Sequence, residues 1–163
     1  MRRSDREVTS FSDMLRVVDA CDCCRLGMVD QGAAYIVPMN FGYEAADETL
    51  TLYFHSANAG RKLSLLPAQT AVSFEMDTAH GLVEGKSACS FSYWYQCVMG
   101  VGTAEILTDA DARIHALRTI MRRYTGEEQW EFAEKALQAV AVFRLRVDSW
   151  SCKVHGASGI HGV

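Results

Sequence analysis

The sequence predicts a single domain of mainly β structure with flanking helices, its strands short, antiparallel and wrapped into a small barrel. Three observations lead there. Through the middle of the chain, apolar and polar residues alternate at the strand period of two, in runs separated by Gly, Asn and Asp. Longer stretches with helical spacing lie only before and after those runs. No strand–helix–strand unit repeats, as a parallel doubly wound sheet would require. At 163 residues the chain is long enough for one hydrophobic core.

The first helix is expected in "SFSDMLRVVDAC", residues 10–21. Ser10 and Asp13 fit a capping box, and Phe11, Leu15 and Val18 recur at helical spacing. Next, "RLGMVDQGAAYIVPMNFGY" reads as two strands about a Gln31-Gly32 turn. "ETLTLYF" alternates, with Leu50, Leu52 and Phe54 on one face and Thr49, Thr51 and Tyr53 on the other. A short helix is expected from about Gly60 to Pro67. "TAVSFEMD" alternates again through Val72, Phe74 and Met76, and Cys89 to Leu107 is strand-like, with Gly100 and Gly102 suited to a bulge or a close backbone approach. "TDADARIHALRTIMRRYTG" predicts a helix capped by Thr108, stopped by Gly126 and striped by Ile114, Leu117, Met121 and Tyr124. "EEQWEFAEKALQA" predicts another, with Trp130, Ala133 and Leu137 on one face. The last strand, "VAVFRLRVDSW", points Ala141, Phe143, Leu145 and Val147 inward and Arg144 and Arg146 outward. About six strands result, and the Gly-rich tail from residue 156 to 163 is expected to be loose.

Composition narrows the function. A net charge of −4 argues against an obligate nucleic-acid partner. No apolar run approaches the roughly 18 residues of a membrane span, and the N-terminus lacks the apolar segment of a secretory signal. A cytoplasmic protein is expected. Cys21, Cys23, Cys24, Cys89, Cys97 and Cys152 show no zinc-site spacing and are expected to be small buried thiols.

The most informative stretch is "YFHSANAGRKLSLL", residues 53–66. It places Arg61 and Lys62 in the first turn of a short helix, where cations are unfavourable unless an anion sits there. A phosphate would account for them, held by Ser56, Arg61, Lys62 and backbone N–H groups, with Gly60 allowing close approach. The alternative is that both side chains extend into water. Neither a phosphate loop of the G-x-x-x-x-G-K type nor a G-x-G-x-x-G turn is present, so a P-loop or Rossmann nucleotide site is not expected. Pro38 belongs at a sheet edge or a ligand-facing gap. Asn40, Phe41 and Gly42 suit a flat heteroaromatic ring, or equally an ordinary strand end. Tyr93, Trp94 and Tyr95 offer an interface or stacking wall, or core aromatics. His55 is a candidate proton donor beside the suspected phosphate site, or simply a strand-end polar residue. The remaining histidines form no ligand set, so no metal is expected.

Taken together, "RLGMVDQGAAYIVPMNFGY", "LYFHSANAGRKLSLL", "VSFEMD", "YWYQCVMGVGTAEI", "IMRRYTG", "VAVFRLRV" and "SCKVH" resemble the flavin-binding split-barrel superfamily of the pyridoxamine 5′-phosphate oxidases, in particular its nitroimidazole-resistance branch. The resemblance runs from about Arg25 to His155. It implies a six-stranded antiparallel split β-barrel and a homodimer with FMN in clefts between the subunits. Phe54 to Lys62 resembles the stretch that grips the FMN phosphate. The implied cofactor contacts are Val37, Pro38, Met39, Asn40 and Phe41 at the isoalloxazine ring, and His55, Ser56, Ala57, Gly60, Arg61 and Lys62 toward the phosphate. Tyr95 and Gln96 would come from the partner or the adjoining wall. The strand "YIVPMNF" lacks the basic residues of the vitamin B6 oxidases, and "KVHGASGIHGV" lacks their Arg and His pattern. The implied activity is transfer of reducing equivalents, with NAD(P)H as a possible donor, to a small acceptor such as a nitro-aromatic or quinone-like compound. His55 is the catalytic candidate. Alternatives are a flavin-storage module without turnover, or a split barrel holding haem or another planar cofactor.

Overall fold

The computed structural model describes residues 3–68 and 71–156. Its described residues form one antiparallel sheet of eight strands that rolls without closing. The strands are β1 (Glu7–Val8), β2 (Cys24–Asp30), β3 (Ala33–Met39), β4 (Gly42–Ala46), β5 (Thr49–Ala57), β6 (Val72–Val83), β7 (Ser92–Ile106) and β8 (Val140–His155). Their order is β3-β2-β6-β7-β8-β5-β4, with β1 alongside β8. The helices are α1 (Phe11–Ala20), α2 (Arg61–Leu65), α3 (Ala110–Thr125) and α4 (Glu134–Gln138). No described helix is long and apolar enough to cross a membrane.

The split-barrel class expected from the sequence is the one observed, with eight strands in place of about six. The added strands are the two-residue β1 and the separate β4. The chain bends at Asn40-Phe41 so that β3 and β4 lie on opposite edges of the rolled sheet. Gly42 makes β4 possible, because a Cβ there would lie 2.6 Å from the Ile120 backbone nitrogen on α3. The Gln31-Gly32 hairpin is as expected, with φ of 51° and 83° at its two central residues.

The main core fills the rolled sheet with Leu26, Met28, Leu50, Leu52, Phe54, Phe74, Met76, Phe143 and Leu145, closed by α1. A smaller cluster lies under α3, on the other face of β5 and β8, around Tyr53, Leu117, Ile120 and Val142. The final strand is therefore two-faced, with Val142 as buried as Phe143. Arg144 and Arg146 do point away from the main core, and both donate to Glu105 Oε2, at 2.8 and 2.7 Å.

Several local expectations need correction. On α1 the buried stripe is Met14, Val17 and Val18, continued by the buried Cys21 just past its end, and Ser10 holds Ser12 Oγ rather than a backbone N–H. On α3 the cap is Asp109, which accepts from the Ala112 N–H at 2.9 Å, and Tyr124 is exposed; Gly126 does end the helix, at φ 74°. The helix expected from residue 127 forms only as α4. Arg118 Nε occupies the Trp130 carbonyl at 3.0 Å, and the Trp130 indole N–H takes the Glu127 carbonyl at 3.1 Å, so those groups are diverted from a helical ladder. Cys21, Cys24 and Cys152 are buried, Cys23 and Cys97 partly so, but Cys89 is exposed; all six thiols are free. The expectation of a loose tail falls on residues 157–163, outside the described residues.

Candidate functional site

The far end of β5 carries the candidate site. β4 pairs with β5 only from Thr49 to Tyr53, whereas β8 continues alongside as far as Ala57. Strand alternation sends Phe54 into the main core, stacked on Phe143 at 5.2 Å, and turns His55 to the opposite face. Ser56 returns to the core side, and its hydroxyl donates to the Ala57 carbonyl at 2.9 Å. The chain then turns at Gly60, whose φ of 131° is open to glycine but strained for other residues, and enters α2. Asn58 fastens this turn by donating to the Gln138 carbonyl on α4.

Arg61 and Lys62 part company at the start of α2. Arg61 Nε donates to Asp30 Oδ2 at 2.5 Å, and its guanidinium lies 4.6 Å from the Tyr35 ring centroid. It thereby ties α2 to the β2–β3 hairpin. Lys62 makes no ion pair among the described residues, and its charge acts on His55. Burial chiefly, and Lys62 second, hold the His55 imidazole below its usual range. His55 Nδ1 is buried with no hydrogen-bond partner among the described residues.

Along β3 the side chains sort by alternation. Val37 is half-buried and Met39 buried against the main core, while Ile36 and Pro38 face outward on an edge strand. That position suits a residue without an N–H. Asn40 is exposed. Phe41 is fully buried beneath the Arg123 guanidinium, 4.1 Å from its ring centroid, and its N–H donates to the Tyr124 hydroxyl at 3.0 Å. Its ring is therefore core, and only its backbone remains to meet a ligand. The bend at residues 40–41 breaks the alternation that a straight strand reading assumes.

Asn40 and His55 meet at a cavity of about 290 Å³. One wall is α3, through Leu117, Ile120 and Met121. The opposite wall is Phe132, Ala136 and Leu137. These apolar residues are missing from the sequence reading of the site, where Leu117, Met121 and Leu137 count only as helix stripes. The signal was a helix with more apolar positions than one buried face needs. Tyr35, beneath Arg61, was likewise unmarked.

Tyr95 and Gln96 do not share that cavity. As neighbours on one strand they point to opposite faces. Gln96 is buried in the interior, and Tyr95 lines a depression of about 570 Å³ on the outer face of β2, β6 and β7. There Arg25 pairs with Glu75 at 3.0 Å and with Asp77, and His80 Nε2 lies 2.5 Å from Asp77 Oδ2.

Residues 12–154 match the family model described as pyridoxamine 5′-phosphate oxidase. Among solved structures, the chain is similar to a candidate 5-nitroimidazole antibiotic resistance protein from Bacteroides thetaiotaomicron. The identity is 33% over 91% of this chain and 86% of that one, with a TM-score of 0.79. The fold is shared with the flavocytochrome Anf3 of Azotobacter vinelandii, at 24% identity, 96% and 72% coverage and a TM-score of 0.83. It is shared as well with an FAD and heme binding protein of Mycobacterium smegmatis, at 22% identity, 93% and 74% coverage and a TM-score of 0.82. Among curated proteins, none matches the chain.

Proposed function

The chain belongs to the pyridoxamine 5′-phosphate oxidase family, and from that premise we propose that it binds FMN and passes reducing equivalents to a small, unphosphorylated acceptor. The observation that carries this reading is the grouping of the His55–Lys62 segment with Asn40 at one end of the split sheet. The residues present fit a flavin. Lys62 is a cation without an ion pair among the described residues. The bond to Asp30 uses one of the five N–H donors of Arg61. Gly60 leaves its Cβ position open, and His55 Nδ1 is a buried polar atom in need of a partner.

In this reading Arg61, Lys62 and the backbone of the Gly60 turn hold the phosphate. The backbone of residues 37–41 borders the ring. When bound, flavin supplies the electron chemistry. His55 is the candidate proton donor; because burial and Lys62 disfavour its imidazolium, the neutral ring would first take up a proton from water and then pass it toward the acceptor. The cavity beside it has no Lys or Arg in its lining, so the phosphate of pyridoxamine 5′-phosphate would find no cation there. A nitro-aromatic or quinone-like molecule suits that lining better. The cofactor sites lie between two copies of the chain, a geometry favoured by the helix-free outer face of β2, β3, β6 and β7. That face exposes Ile36, Leu82, Tyr93 and Met99.

The test is the absorption spectrum of the purified protein with mass analysis of the released cofactor, followed by NAD(P)H consumption with an added nitro compound or quinone. A flavin spectrum, the FMN mass and acceptor-dependent turnover are expected. A haem spectrum, or a colourless protein that fails to take up FMN, overturns the reading; bound FMN without turnover reduces it to storage.

A further inference from the structure

Resting on the flavin reading and deepening it, we infer that Tyr124 is a positioning residue for the cofactor. Its hydroxyl clamps the peptide between Asn40 and Phe41, part of the backbone that borders the isoalloxazine ring.

That peptide lies where the sheet gives it no support. β3 ends at Met39 and β4 begins at Gly42, so residues 40 and 41 fall outside both ladders while the chain crosses between opposite edges of the sheet. Backbone groups without a ladder need another partner. Tyr124 supplies one. Its hydroxyl accepts from the Phe41 N–H at 3.0 Å and donates to the Asp22 carbonyl at 2.9 Å. One side chain thus joins the end of α3, the bend, and the link from α1 to β2. Two neighbouring contacts fix where the bend sits. The Arg123 guanidinium covers the Phe41 ring at 4.1 Å, and the Gly42 backbone packs directly on that of Thr119 and Ile120. Contacts to a ring and to a Cα set position; the hydroxyl sets the tilt of the peptide plane. The 40–41 peptide is trans, so with its N–H turned onto Tyr124, the Asn40 carbonyl points the opposite way. A backbone acceptor of fixed direction suits the edge of an isoalloxazine ring, where an N–H lies between two carbonyls. Tyr124 is exposed and belongs to neither core cluster, so its hydroxyl serves the bend rather than the packing of α3. Without that hydroxyl, flavin binding has to order residues 40 and 41 itself, at a cost in entropy.

The experiment compares wild type with Tyr124→Phe, which removes only the hydroxyl, and with Thr125→Val. The Thr125 hydroxyl bonds within the same end of α3, donating to the Met121 carbonyl and accepting from the Glu127 N–H, and bonds to neither residue of the bend. Amide exchange is measured on the flavin-free proteins. FMN affinity and the visible absorption bands of bound FMN are measured on the loaded ones, and circular dichroism confirms folding. In Tyr124→Phe the Phe41 amide is expected to exchange roughly tenfold faster, FMN affinity to fall roughly tenfold, and the absorption bands to shift. Thr125→Val is expected to match wild type in all three. Unchanged Phe41 exchange overturns the clamp. Faster exchange with unchanged FMN affinity and bands overturns the positioning role, and so does an equal loss in Thr125→Val. An affinity loss without a band shift puts the effect away from the ring and overturns it too. A wild type that takes up no flavin removes the flavin reading and this inference together; in every other failure wild type still binds FMN.

Discussion

His55 couples its protonation to folding. Its imidazole is depressed below 6.5 by burial and by Lys62, so on acidification the unfolded chain takes up that proton before the folded chain does. This contribution to stability is fully present above about pH 6.5 and is lost as pH falls toward the folded value. In His55→Gln, denaturation midpoints at about pH 7.5 and 5.5 should therefore differ less than in wild type. An equal difference would mean that the imidazole is not held neutral. The same variant should keep FMN and slow turnover with a nitro acceptor by on the order of 100-fold if His55 delivers the proton. Replacing both Arg61 and Lys62 with alanine should weaken FMN binding tenfold or more, since one charge-assisted bond is worth roughly 1.5–3 kcal/mol. Unchanged affinity in an FMN titration would remove the phosphate assignment. At this scale the sequence was legible where local alternation decides: Phe54 inward and His55 outward follow from period two alone. It was illegible where a distant partner decides. Arg61 finds Asp30, 31 positions away, and Phe41 turns inward under Arg123.

Among the elements, α3 does more than close the second core. Its Arg123 donates to the Val18 carbonyl at 2.7 Å, to that of Asp19 at 3.3 Å and to that of Cys21, capping the C-terminus of α1, and it lies over the Phe41 ring. The side chain is 11% exposed, so these are sheltered charge-assisted bonds. Arg123→Met, which keeps the stem and removes the donors, should cost about 2–3 kcal/mol in urea unfolding. A loss below about 0.5 kcal/mol would show that water replaces the guanidinium at no cost. The helix after Gly126 shows the limit of periodicity as a guide. Residues 127–139 carry helical spacing, yet the first half is bound otherwise by Arg118 and by the Trp130 indole. Cap chemistry was legible to within one residue, Asp109 for Thr108, because Thr and Asp are both good caps and only geometry chooses between them.

For the whole molecule, class and strand direction were legible because most strands bury one face and show the alternation that results, β5 and β8 burying both only where α3 covers them. β1 was not, because two residues cannot display a period. The outer face of β2, β3, β6 and β7 is the largest consequence of an unclosed sheet whose outer helices α3 and α4 lie against β4, β5 and β8. It carries exposed Ile36, Leu82, Tyr93 and Met99 beside the Arg25–Glu75–Asp77 pairs. Light scattering of the FMN-loaded protein should give twice the chain mass, and Ile36→Lys with Met99→Lys should shift it toward the monomer. A wild-type monomer that retains FMN would contradict cofactor sites between subunits. The Arg123 clasp also bears on the order in which the chain acquires its shape. It joins positions 102 to 105 residues apart, and β1 reaches still farther, to Lys153 and Cys152 on β8. During synthesis the first helix emerges long before either anchor exists, and such distant closures slow folding. A helix made before both of its anchors is thus among the last elements to be secured, and the apolar stripe of α1 stays uncovered until α3 and β8 arrive.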